Sequence, residues 1–302
     1  MSFSRTIIVM FLGCLCVLPV FAQQDACQQR TIPVSVETKD GTPAPELSSA
    51  DLEGTYQHKA VHIKLVAFEP TLPRIILLLD TSGSMQGTQN DALDIAEELL
   101  SKIPPATEVG LAFFAKDLQP VALPTSDHQK VMIQLEGLRK SPISYKGGTA
   151  LWASILDSLK MLGSPRVGDA IYLISDGGNN SGKLTEDQVA ATLIRSGVRL
   201  FGLTSPSTPR VQVLLMEADS WVYMQQMIEN TGGTNVFLYN RLTIKHDLDE
   251  QRRQLIGFSQ VDIDLAENVD KPREWKLAMS GLLKSQRDNL VLKYPHVLVP
   301  CH

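Results

Sequence analysis

Between Ile75 and Ile256 short apolar runs alternate with longer stretches of helical spacing, and this alternation limits the possible folds more than any other feature. Ile75 to Leu79 is apolar throughout, as a strand buried on both faces must be. Val109–Phe114, Ala170–Ile174, Val198–Leu203 and the shorter Val236–Leu238 read the same way. Between them, Ala92, Ile95, Ala96, Leu99, Leu100 and Ile103 recur on one helical face that stops before Pro104-Pro105. A second helix begins near Thr149, with Trp152, Ile155, Leu159 and Leu162 on one side. Thr185 and Gln188 have the spacing of a capping box for a helix that stops at Gly197. Ser220 is expected to cap another that ends at Gly232-Gly233, and a last helix covers Leu248–Ile256. Strand and helix alternating in this order predict an α/β fold with a doubly wound, mainly parallel, Rossmann-like sheet.

The flanks follow a different period. Ile32, Val34 and Val36 alternate with polar residues, Asp40-Gly41 turns the chain, and Val61, Ile63 and Leu65 alternate again. After Phe258 the same period returns at Val261, Ile263 and Leu265, then Trp275, Leu277 and Met279, then Leu290, Leu292 and Tyr294. Period-two alternation predicts antiparallel strands with one wet face. Residues 23–71 and 258–302 are therefore expected to pack together as a small β-sandwich-like subdomain built from both termini, flanking an α/β domain over 72–257.

With 302 residues, 43% hydrophobic and 20% charged, the chain has room for a large and a small unit. The net charge is −5 and no Lys/Arg cluster is dense, which argues against a nucleic-acid or anionic-membrane surface. Arg5 precedes an apolar run from Ile7 to Leu18, then Pro19 and Val20-Phe21-Ala22, the small-residue pattern of a signal-peptidase site. The run is short for a membrane span, so residues 1–22 are expected to be a cleaved signal peptide rather than an anchor, and the mature chain to be secreted or periplasmic. Cys14 and Cys16 leave with that leader. Cys27 and Cys301 remain, and in an oxidising compartment a disulfide between them is expected, two free thiols being the alternative.

The chemistry-bearing stretch is Asp80-Thr81-Ser82-Gly83-Ser84-Met85, directly after the buried run. In open α/β sheets ligands sit outside the carboxyl ends of the strands, where this loop falls. Gly147-Gly148-Thr149 precedes a helix and brings a hydroxyl, and Ile174-Ser175-Asp176-Gly177-Gly178 ends another buried strand with a carboxylate. Hard oxygen donors of this kind suit Mg²⁺, Mn²⁺ or Ca²⁺. No other catalytic pattern accompanies them. The six histidines are scattered, no G-x-S-x-G elbow appears, and no Walker lysine follows a glycine-rich loop. The chain is therefore read as non-enzymatic. Asn179-Asn180-Ser181 matches a glycosylation sequon but adjoins the metal loop and is discounted as one, and Trp152, Trp221 and Trp275 read as core residues.

Asp80, Ser82, Ser84, Thr149 and Asp176 together resemble the metal-ion-dependent adhesion site of von Willebrand factor type A (VWA) and integrin inserted domains, over about Leu72 to Gly257. The resemblance implies that Ser82 and Ser84 coordinate an ion, Mg²⁺ or else Mn²⁺ or Ca²⁺, directly. Thr149 would bind it directly or through water, while Asp80 and Asp176 would act largely through water. A cation held by neutral ligands stays underneutralised and attracts a Glu or Asp carboxylate from a partner protein. The function implied is metal-dependent protein binding or adhesion, the alternative being an envelope scaffold or assembly subunit in which the ion is only structural. As in related domains, engagement of the site is expected to shift the Leu248–Ile256 helix. The alternating N-terminal strand, the Lys39-Asp40-Gly41 turn and the exported context resemble the exported VWA-related proteins of acidobacteria.

Overall fold

A computed structural model describes residues 27–39, 47–65, 72–140, 148–205, 218–238, 244–281 and 289–301. The leader with its Ala22 cleavage position, the Asp40-Gly41 turn and Gly147 lie outside these residues. The first half of the chain forms β1 Gln29–Thr38, β2 Leu52–Tyr56, β3 Lys59–Leu65, β4 Ile75–Asp80, α1 Gln89–Lys102, β5 Val109–Phe114, β6 Leu118–Thr125, α2 His128–Lys140 and α3 Leu151–Lys160. There follow β7 Ala170–Ser175, α4 Glu186–Arg195, β8 Arg199–Thr204, α5 Ala218–Asn230, β9 Asn235–Phe237 and α6 Ile244–Ile256. The C-terminal part contributes β10 Ser259–Asp264, β11 Arg273–Glu274, β12 Lys276–Met279, β13 Leu290–Lys293 and β14 Val297–Leu298.

The central sheet has the order β6-β5-β4-β7-β8-β9. All its pairings are parallel except that of the edge strand β6 with β5. Its strands are apolar throughout because both faces are covered. On β4, Ile75, Leu77 and Leu79 enter one core while Ile76 and Leu78 enter the other. The first core is closed by α1, α2 and α6, and the second by α3, α4 and α5. Each fully buried aliphatic side chain of this kind is worth about 1.5–3 kcal/mol relative to exposure. The capping box that opens α4 is present in both directions, between Thr185 and Gln188. Ser220 is not a cap. It is the third residue of α5, which starts at Ala218, because a serine suits the first helical turn as readily as the position before it.

The flanking strands form a second, antiparallel sheet in the order β12-β2-β3-β10-β1-β13. β1 pairs with β10 through Gln29–Val34 and, on its other side, with β13 through Ser35–Thr38. The edge strands β12 and β13 come into contact, and the Leu277 N–H donates to Tyr294 Oη (3.1 Å). The expected strand around Trp275 is split, since β11 leaves the sheet to pair with β14. Trp275 and Leu298 from that ribbon join Ile32, Val34, Tyr56 and Val261 in one core. A disulfide joins Cys27 to Cys301, whose Cα atoms are 5.8 Å apart.

Where this subdomain meets the α/β unit, the Glu37 carboxyl is buried against α6 and accepts a hydrogen bond from Gln254 Nε2 (2.5 Å). Burial, followed by the neighbouring Glu250 carboxylate, pushes its pKa up from 4.5 to about 8. The folded chain thus holds this proton more tightly than the unfolded one. Its stabilising contribution is full below about pH 4.5 and is lost as pH rises through about 8. Urea midpoints measured across that range should fall with pH more steeply for the natural chain than for Glu37→Gln, which cannot ionise.

Candidate metal centre

β4 is the point at which the winding of the central sheet reverses, with β5 on one side and β7 on the other, and ligand crevices in open sheets lie at such a point. Asp80 is the last residue of β4 and is only 6% exposed. Its Oδ1 accepts the Ser82 N–H (2.8 Å), which turns the chain back over the strand end. Ser175 Oγ donates to its Oδ2 (2.6 Å) and in turn accepts the Gly177 N–H (3.0 Å). Burial raises the Asp80 pKa from 3.8 to about 6, the hydrogen bonds from Ser175 and Ser82 oppose this, and the nearby Asp176 charge adds to it.

Ser82 is buried and Ser84 exposed at the start of the short 3₁₀ turn Gly83–Gly87, with their Oγ atoms 3.1 Å apart. The loop is tied to β5, since the Thr81 N–H and hydroxyl both donate to Phe114 O (2.7 and 2.9 Å).

The Thr149 segment is bonded to the chain beyond β5 and to the loop after β7, the two strands that flank β4. The next residue, Ala150, donates its N–H to Ala115 O (2.8 Å) just beyond that strand. The segment after β7 clasps the Thr149 backbone. The Thr149 N–H donates to Asn180 Oδ1 (2.6 Å), and Thr149 O accepts the N–H groups of Asn180 (3.0 Å) and Ser181 (3.1 Å). Gly148 is required by this clasp, since a Cβ there would fall 2.4 Å from Ser181 Oγ and 2.5 Å from Asn180 Oδ1. Thr149 is only 3% exposed. Asp176 follows β7 directly, is half-buried, and accepts the Gly178 N–H on Oδ1 (3.1 Å).

The three loops that carry Asp80, Ser82 and Ser84, then Thr149, then Asp176 are thus bonded to one another or to adjoining strand ends. Two residues of the site have no role in the sequence reading. Ser175 bridges Asp80 to the β7 loop, and Asn180 holds Thr149. The strand register places Ser175 there, for Leu79 and Ile174 are paired and the next residues on the two parallel strands are Asp80 and Ser175. Among the described residues no three His, Cys, Asp or Glu side chains cluster as a metal site. An ion bound here must therefore draw mostly on hydroxyl oxygens. The donor set fits a hard divalent cation, because neighbouring ligands on an octahedral ion with bonds of about 2.1 Å lie about 3 Å apart.

All five side chains fall within one matched segment. Residues 75–179 match the von Willebrand factor type A domain family. The fold is VWA-like. The match covers about a third of the chain, from β4 to the loop after β7. No curated protein matches the chain. Among solved structures it is similar to an aerotolerance-related membrane protein from Bacteroides fragilis (20% identity, TM-score 0.48, covering 60% of this chain and 99% of that one). It is similar also to the conserved hypothetical protein BatB from Bacteroides thetaiotaomicron (23% identity, TM-score 0.47, covering 60% and 98%). Proximal thread matrix protein 1 from the mussel byssus, in a form described with a zinc-occupied MIDAS motif, shares 18% identity at a TM-score of 0.38, covering 44% of this chain and 38% of that one.

Proposed function

We propose that the protein is an exported, non-catalytic binding module. In this reading Ser82, Ser84 and Thr149 hold one divalent ion, Asp80 and Asp176 orient them through hydrogen bonds and water, and the ion captures a Glu or Asp carboxylate of a partner protein. The ion would supply one open coordination position for an anionic oxygen. The observation that carries the reading is the pair of Ser82 and Ser84 hydroxyls, 3.1 Å apart beside the buried Asp80, with the Thr149 segment bonded both to Ala115 just beyond β5 and to Asn180 after β7. The hydroxyl and carboxylate oxygens of this set suit a hard divalent ion, Mg²⁺ or else Mn²⁺ or Ca²⁺.

Binding rather than hydrolysis is supported by what the Asp80 carboxylate already does. Both Asp80 oxygens accept hydrogen bonds, which supports an orienting role for this carboxylate rather than that of a general base. Export rests on the leader sequence over residues 1–22, and the flanks are read as those of exported VWA-related proteins like those of acidobacteria. Among the described residues no helix is long and apolar enough to cross a membrane.

Capture from envelope extract in Mg²⁺, repeated with EDTA, tests the reading. Thr149→Ala is expected to abolish Mg²⁺-dependent capture while the chain stays folded. If the ion were only structural, the same substitution would lower the melting temperature and leave capture unchanged.

A further inference from the structure

The last helix of the α/β unit is held by buried polar groups rather than by a smooth apolar face. Gln251 is 1% exposed, and every hydrogen-bonding position used by its amide points into the sheet. Its Oε1 accepts the Tyr172 hydroxyl of β7 (2.6 Å), and its Nε2 donates to Gly202 O of β8 (2.8 Å) and to Thr234 O, just before β9 (2.7 Å). One turn on, Gln254 accepts from Thr234 Oγ1 (2.6 Å) and donates to Glu37 of β1. Arg199, also 1% exposed, caps the end of α6, donating to Gln254 O and Leu255 O (both 2.7 Å) and to Gly168 O (2.9 Å). Its guanidinium lies 4.3 Å over the Phe258 ring, where the chain enters the second sheet.

A slide of α6 by one turn, about 5.4 Å, would break together all of these bonds in which α6 takes part and would carry Asp247 or Leu248 toward the position of Gln251. Buried amides and an arginine left unpaired resist such a step far more than an aliphatic ridge moving over another. We propose that α6 is a fixed strut, locked in one register by Arg199, Gln251, Gln254 and Glu37, which fastens the β subdomain rigidly to the α/β unit whatever the state of the metal centre. This departs from the helix shift expected from the family resemblance, and it does not depend on the metal reading.

The test uses the full chain with spin labels at Lys245→Cys on α6 and at either Glu53→Cys on β2 or Lys160→Cys on α3, all exposed positions. Pulsed dipolar measurements should give a single narrow distance for each pair, unchanged by saturating Mg²⁺, and at least about twofold broader in Gln251→Leu/Gln254→Leu. Should the double variant fail to fold, Gln254→Leu alone is expected to broaden the distances less. A second distance population, or a displacement near one helical turn on adding Mg²⁺, would overturn the proposal, as would variants with widths equal to those of the natural chain. Ion occupancy is read separately by calorimetry. If no Mg²⁺ binds, the functional reading fails, while the widths in natural and variant chains still decide the strut.

Discussion

Asp80→Asn is expected to weaken divalent-ion binding by about 10–100-fold, the cost of losing a group that orients metal ligands, and at the same time to raise the melting temperature of the ion-free protein. The two effects have one cause. The Asp80 carboxyl is buried, and burial lifts its pKa from 3.8 to about 6, so keeping it ionised at neutral pH costs roughly 3 kcal/mol. An amide of the same shape can still accept from the Ser82 N–H, and its NH₂ can face Ser175 Oγ, but it removes the buried charge. Relief of part of that cost should raise the ion-free melting temperature by a few degrees. Asp80→Ala should not, because it leaves Ser175 Oγ and the Ser82 N–H without their acceptor. Calorimetric titration and thermal melts with and without EDTA check both halves. A variant that bound Mg²⁺ normally, or melted lower in EDTA, would contradict the account.

The second large effect concerns the Cys27–Cys301 disulfide, which closes a loop of sequence separation 274. A loop of that size gives a chain-entropy stabilisation of about 5.5 kcal/mol, on a model that treats the bond as acting mainly on the unfolded chain. Cys27→Ser/Cys301→Ser is therefore expected to lower the unfolding free energy by several kcal/mol in urea, and to do so without altering ion affinity. The loss should appear first in hydrogen exchange of β1 and β14, because Cys27 precedes β1 and Cys301 follows β14. Unfolding midpoints equal to those of the natural chain would show that the antiparallel core of Ile32, Val34, Tyr56 and Trp275 holds the termini without the bond.

What could be read from the sequence follows from which contacts are local. The buried strands announced themselves because both faces of β4, β5, β7 and β8 are covered, which forces unbroken apolar runs. β6 gave no such signal. It lies at the sheet edge, is half-exposed, and carries Pro120 and Pro124, so neither a continuous run nor clean alternation marks it. α2 buries only Val131 and Leu135 and contains Gly137, too little for a helical stripe to stand out. β2 was hidden for another reason. Its hairpin to β3 turns through Gln57 and His58, both at positive φ, where the usual glycine or asparagine signal is missing. The five candidate ligands could be named from local pattern alone, since Asp80, Ser82, Ser84 and Asp176 end or follow apolar strands and Thr149 precedes a helix. Ser175 and Asn180 could not, since each acts on a residue in a different loop, and only tertiary packing makes that pairing visible.

The central claim is that the loops after β4 and β7 and the segment before α3 assemble one hard-cation site. Titrating the full chain with Mn²⁺ and following loss of the free-ion paramagnetic resonance signal tests it most directly. A single saturable ion per chain is expected, displaced by Mg²⁺ and lost in both Ser82→Ala and Asp176→Ala. Absence of saturable binding, or binding that survives both substitutions, would contradict it.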